Sequence, residues 1–139
     1  MIPCLLDEWP PERMSMAYRV VCIEDDAEMI DLLRLLLIRE GYDYIGARGG
    51  VRGLKAVFES KPDIVLLDLM MSDMDGWVVY ETLKHDPETS SIPIIIVTAT
   101  AQSDEKLIEM RVSRDDQYIF KPFTANVLLS TIRRTLSQA

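Results

Sequence analysis

Histidine and cysteine are scarce in this chain, which has one histidine, His85, and two cysteines, Cys4 and Cys22, in 139 residues. The cysteines lie far apart and form no CxxC or Cys/His pattern, which argues against a zinc site and against a disulfide-stapled fold. Both are read as structural or incidental. Basic residues are also in deficit: 15 Lys and Arg against 23 Asp and Glu leave a formal charge of −8. Such a surface repels phosphates and argues against direct nucleic-acid binding by charge alone, and acidic partners are disfavoured too. No apolar run approaches the roughly 20 residues that a membrane helix needs. The opening stretch, MIPCLLDEWPPERMSM, lacks a basic n-region, and Pro3, Asp7 and Glu8 break its short apolar run, so it is not a secretory signal. A cytoplasmic protein is expected, with residues 1–17 a flexible leader; the true start could also lie at Met14 or Met16. Gly49, Gly50 and Gly53 make no GxGxxG after the first strand-like run, and GxxxxGK[ST] is absent, so a nucleotide-cradling loop is unsupported.

The chain does hold ample apolar residues, 48% against 27% charged. At this length a single domain buries about two thirds of the surface its unfolded form exposes. Short β-branched or apolar runs alternate with stretches of helical period, which predicts βαβ units and a parallel sheet. The runs are Tyr18 to Ile23, Tyr42 to Ala47, Asp63 to Leu69, Ile92 to Thr98 and Gln117 to Phe120. The third and fourth are apolar almost without alternation, as strands covered on both faces are. Helices are expected from the N-cap Asp26 to Gly41, and over Val51 to Ser60, Trp77 to His85, Ser103 to Val112 and Thr124 to Ser137. The first carries more leucine than one stripe needs, so some of Leu32, Leu35, Leu36 and Ile38 are expected to be partly exposed, by core packing or by a dimer or partner face.

In open parallel sheets, function gathers at the carboxyl ends of the strands. The first run closes on Glu24, Asp25 and Asp26, the third on Asp68, the fourth on Thr98, and the fifth on Lys121 before Pro122. Alone, each has an ordinary reading: a helix cap, a solvated acid, a β-branched filler, a snorkelling cation. Together they gather acids at one edge. Two carboxylates about 4 Å apart repel by about 4 kcal/mol at an effective dielectric near 20, so the cluster needs cations or raised pKa values. Lys121 supplies one charge, and a hard divalent ion such as Mg²⁺, which takes oxygen ligands and keeps waters, would supply two more. In that arrangement Asp68 is the nucleophile that accepts a phosphoryl group. Glu24, Asp25, Asp68 and the backbone carbonyl of Met70 hold the Mg²⁺ or Mn²⁺, while Thr98 and Lys121 bind the phosphoryl oxygens.

These residues resemble the receiver domains of two-component response regulators over roughly Tyr18 to Gln138. The matching stretches are CIEDD, LLDLMMSDMDG, IPIIIVTA and YIFKPF, with 43 residues from Asp25 to Asp68 and 30 from Asp68 to Thr98. The resemblance implies a receiver over residues 18–139 with a doubly wound (βα)5, flavodoxin-like α/β fold and strand order 2-1-3-4-5. It implies phosphorylation of Asp68 by a sensor histidine kinase or phosphotransfer protein, and Thr98 and Tyr118 as switch residues. It also implies a cis peptide before Pro122 and a readout face made by the fourth helix, fifth strand and fifth helix. A stand-alone, chemotaxis-regulator-like signalling protein is expected, not an enzyme with turnover, acting on an unknown protein target as a monomer or phosphorylation-dependent dimer. The other readings are an aspartyl-phosphate phosphatase or phosphotransferase, disfavoured because Met70 stands where such enzymes place a second acid, and a degenerate receiver serving as a scaffold. Two departures stand out. Ser72 replaces the usual proline after the phosphoacceptor, which predicts a looser turn, and Arg114 and Asp115 replace a small pair before the fifth strand, which unsettles the fourth helix.

Overall fold

A computed structural model describes residues 17–99 and 105–138. The expected leader, apart from Ala17, and the first two residues of the expected fourth helix lie outside the described residues. In chain order the elements are β1 (Arg19–Glu24), α1 (Ala27–Arg39), β2 (Asp43–Arg48), α2 (Gly50–Ser60) and β3 (Ile64–Leu67). They continue with α3 (Gly76–His85), β4 (Ile94–Thr98), α4 (Glu105–Arg111), β5 (Gln117–Phe120) and α5 (Ala125–Gln138). All strand pairs are parallel, in the order β2-β1-β3-β4-β5. The expected sheet is therefore present.

The uninterrupted apolar runs are explained by what their two faces meet. Val20 and Cys22 of β1, Ile64 and Leu66 of β3, and Ile95 and Val97 of β4 pack with Leu33 and Leu37 of α1 and Leu128 and Ile132 of α5. The alternate residues Val21, Ile23, Val65, Leu67, Ile94 and Ile96 pack on the other side with Val57, Val79, Leu83 and Ile108 of α2, α3 and α4. Side chains on a strand point to opposite faces in turn, so both registers must be apolar. Each fully buried aliphatic side chain contributes roughly 1.5 to 3 kcal/mol, which makes these three strands the main source of stability. Strand ends fall a residue or two from the expected ones for a local reason. Pro93 has no N–H to donate, so β4 begins at Ile94, although the Pro93 carbonyl still accepts from Val65 N at 3.0 Å.

Asp26 caps α1 as expected, accepting from Glu28 N at 2.9 Å, and Gly41 follows the helix at φ 92°. Along α1, Leu33 and Leu37 are buried while Leu32, Leu35 and Ile38 stand 57%, 72% and 55% exposed, so the surplus leucines do face outward. Cys22 is a buried free thiol in the α1/α5 layer, and burial pushes its pKa up to about 12. A chain carrying Cys4→Ser should therefore leave a thiol reagent unconsumed at pH 8 until denaturant is added; rapid labelling of the folded protein would contradict this packing.

The altered segment before β5 is anchored rather than loose. Arg114 and Asp115 are exposed, but Asp116 is buried. Its carboxylate accepts from Ile94 N at 2.8 Å and from the Tyr80 hydroxyl at 2.7 Å, and pairs with Lys84 Nζ at 3.1 Å. Tyr80 in turn accepts from Ser113 N at 2.7 Å. The acid is fully satisfied, as a buried charge must be.

Candidate phosphoryl site

The parallel register carries the ends of β1, β3, β4 and β5 to one edge. Asp68 N donates to the Ile23 carbonyl at 3.0 Å, and Lys121 N donates to the Thr98 carbonyl at 2.8 Å. The residues read from the sequence therefore do converge. Glu24, Asp68 and Thr98 are buried, Asp25 is half-buried, and the Lys121 ammonium stands between two carboxylates. Lys121 Nζ donates to Glu24 Oε1 at 2.7 Å and lies 3.4 Å from Asp68 Oδ2. The Lys121–Pro122 peptide is cis, as the resemblance implied.

The electrostatics follow from this geometry. Burial raises the Glu24 pKa, and the neighbouring Asp68 adds to it against the opposing hydrogen bonds from Lys121 and Asp26 N. For Lys121, burial pulls the pKa down, but the hydrogen bond to Glu24 and the charge of Asp68 outweigh it and leave it above the ordinary lysine value. While the carboxylates stay ionised, the pairing therefore persists through the ordinary lysine range and is lost only as pH rises through the higher folded value. The three acids are not equivalent. Glu24 Oε2 accepts from both Asp25 N and Asp26 N, at 2.9 and 3.1 Å, so with Lys121 on Oε1 its acceptor capacity is largely committed. Asp68 Oδ1 accepts from Met70 N, at 3.2 Å, and Met70 itself is exposed.

Among the described residues, no group of three or more His, Cys, Asp or Glu stands in metal-holding array. A Mg²⁺ site does not need one. This ion usually takes one or two carboxylates and keeps waters, and Asp25 and Asp68 with a loop carbonyl are an all-oxygen set of that kind.

Ser72 behaves differently from the expectation drawn from sequence. Ser72 N and Oγ both face the Asp25 carboxylate, at 3.3 and 3.5 Å, so the residue standing in for proline ties its turn to the acid pair instead of loosening it. Of the two acids that follow in this loop, Asp75 caps α3 through Trp77 N at 2.8 Å. Asp73 instead accepts from Gly50 N and Val51 N, at 2.9 and 3.1 Å, across at α2. These hydrogen bonds hold its carboxyl below the ordinary aspartate range. Tyr118 is half-buried, packs edge-on against Phe120 and donates to Glu105 Oε2 at 3.2 Å, which directs it toward α4.

The sequence matches the family described as the response regulator receiver domain over residues 20–133. The chain belongs to this receiver domain family. Among solved structures the receiver is similar to the receiver domain of a signal transduction histidine kinase from Syntrophus aciditrophicus, at 28% identity and TM-score 0.79, covering 88% of this chain and 92% of that one. It is also similar to the N-terminal domain of a response regulator receiver protein from Methanoculleus marisnigri, at 34% identity and TM-score 0.66, covering 84% and 94%. Among curated proteins it is 34% identical over 118 residues to the DNA-binding dual master transcriptional regulator RpaA of Synechocystis, covering 85% of this chain and 48% of the relative. The DNA-binding response regulator MtrA of Mycobacterium tuberculosis is 35% identical over 122 residues, covering 88% and 52%. The receiver thus spans about half the length of these curated relatives. Because they are named for DNA binding, the exclusion of nucleic acid drawn from net charge is not supported. No helix among the described residues is long and apolar enough to cross a membrane.

Proposed function

We propose that the receiver is a phosphorylation-controlled signalling switch acting in the cytoplasm, with Asp68 as the phosphoacceptor. The observation that carries this is the Lys121 ammonium held between the buried Glu24 and Asp68 carboxylates beside the end of β4, with Thr98 at that end. An Asp68 oxygen attacks the phosphorus of a phosphohistidine on a sensor kinase or phosphotransfer protein; the O–P bond forms as the N–P bond breaks, and the imidazole leaves with the bonding pair. Lys121 and the Thr98 hydroxyl bind the transferring oxygens, so the chain supplies position and charge rather than covalent steps.

Glu24, Asp25, Asp68 and the Met70 carbonyl would hold Mg²⁺ or Mn²⁺, with Glu24 taking the smallest share because Lys121 and two amides already occupy it. When bound, the cation neutralises charge on the phosphoryl oxygens. Phosphorylation then alters the contacts made at Thr98 and Tyr118, and the face of α4, β5 and α5 controls a protein partner.

The test is intact mass after incubation with Mg²⁺ and acetyl phosphate. One stable phosphoryl adduct is expected, absent in Asp68→Asn. Phosphate release without an adduct would favour an aspartyl phosphatase, and an inert protein would favour a scaffold.

A further inference from the structure

Three turns that are far apart in sequence close into a ring of hydrogen bonds around the acid pair. Glu24 and Asp25 of the β1–α1 turn offer their backbone carbonyls to Gly49 N, at 3.0 Å, and to Arg48 Nε, at 3.0 Å. The next two amides of that second turn, Gly50 N and Val51 N, donate to the Asp73 carboxylate of the β3–α3 loop. The loop returns to its start through Ser72, whose N and Oγ face the Asp25 side chain.

The glycine pair that makes no nucleotide loop has its explanation here. Gly49 occupies the N-cap of α2 at φ 95° and has no side chain to cap the helix. The first-turn amides of a helix need acceptors from elsewhere, and Asp73 provides them. A Cβ on Gly49 would stand 3.0 Å from both Asp73 oxygens, so the positive φ and the close approach both require glycine.

We infer that Ser72 and Asp73 form a latch that positions the Asp25 carboxylate and the Met70 carbonyl for a divalent cation, with Asp73 as its stronger arm. The inference rests on the proposed metal-dependent phosphoryl site and adds residues that touch neither the ion nor the phosphoryl group. Asp73 is therefore a positioning residue. Met70 is held by its own N–H on Asp68 and by Ser72 on Asp25, and Asp73, next to Ser72, ties the same segment to α2, so releasing Asp73 loosens one end of the stretch that presents the carbonyl.

The test is a Mn²⁺ titration of the full chain, with free ion read by electron paramagnetic resonance. Outer hydrogen-bond partners of metal ligands typically matter by roughly 10- to 100-fold in affinity, and Asp73→Ala is expected to raise the Mn²⁺ Kd by about tenfold. Asp73→Asn, whose single amide oxygen can accept from only one of the two amides, should recover only part of that loss. Asp86→Ala removes a comparable cap, on Glu88 N at 2.8 Å, from the turn after α3 and should leave the Kd unchanged. Amide exchange at Gly50 and Val51 should accelerate in Asp73→Ala alone. Equal Kd values for Asp73→Ala and the parent, or an equal loss in Asp86→Ala, overturn the latch while the metal site stands. A parent chain that takes up no Mn²⁺ overturns both.

Discussion

Replacing Lys121 with Met is expected to remove phosphorylation of Asp68 and to destabilise the receiver by about 3 to 5 kcal/mol at neutral pH. The magnitude follows from breaking a buried ion pair on one side only. The side chains of Glu24 and Asp68 are 4% and 7% exposed, and without the ammonium they face each other with no counter-charge. A domain of this size has a total stability of roughly 5 to 15 kcal/mol, so the loss is a large fraction of it. The deficit should depend on pH in a defined direction. The Glu24 pKa is already above its ordinary value through burial, and losing the Lys121 hydrogen bond pushes it higher. The folded variant then binds a proton more tightly than the unfolded chain does. Stability therefore recovers as pH falls from neutral toward the ordinary carboxylate range and levels off below it. Urea unfolding at pH 7.5 and 5.5 measures this, and a deficit equal at both values would mean that the lysine acts by packing alone. Added Mg²⁺ should restore part of the stability at pH 7.5, since it binds the folded state.

Gly76→Ala is expected to cost about 3 kcal/mol, or about 10 °C in melting temperature, because the added carbon has nowhere to go. Its Cβ would stand 2.3 Å from Leu69 Cα and 2.6 Å from the Asp68 carbonyl oxygen, both backbone atoms. Backbone cannot rotate aside as a long side chain does, so the β3–α3 loop must shift at the phosphoacceptor itself. Phosphorylation by acetyl phosphate should slow along with the loss of stability. Gly41→Ala provides the contrast: nothing lies within 4 Å of the added Cβ, and only the conformational cost of φ 92° applies, about 1 kcal/mol. Similar melting temperatures for the two variants would show that the Gly76 contact relaxes freely.

The sheet was legible because β3 and β4 are apolar almost without alternation, a pattern that a doubly covered strand needs. The site was legible because strand ends in a parallel sheet share an edge, so Glu24, Asp25, Asp68, Thr98 and Lys121 could be brought together without knowing any distance. What escaped was pairing between turns. Nothing in the sequence near Asp73 points to Gly50, and a side chain capping a helix from another loop leaves no local pattern. Ser72 was read as a missing proline, whereas its effect comes from the N–H that proline lacks. Nothing in the sequence singles out Asp116, since burial of a carboxylate with Lys84 and Tyr80 shows only in three dimensions. Glu24 and Asp25, adjacent and alike in sequence, differ because one is already saturated by Lys121 and two amides.

The Asp116 anchor ties down the start of β5. Its carboxylate grips Ile94 N, Tyr80 and Lys84, while the strand's other end carries Lys121 into the phosphoryl site. β5 thus joins the buried Asp116 network to the phosphoryl site and carries Tyr118 and Phe120 between them.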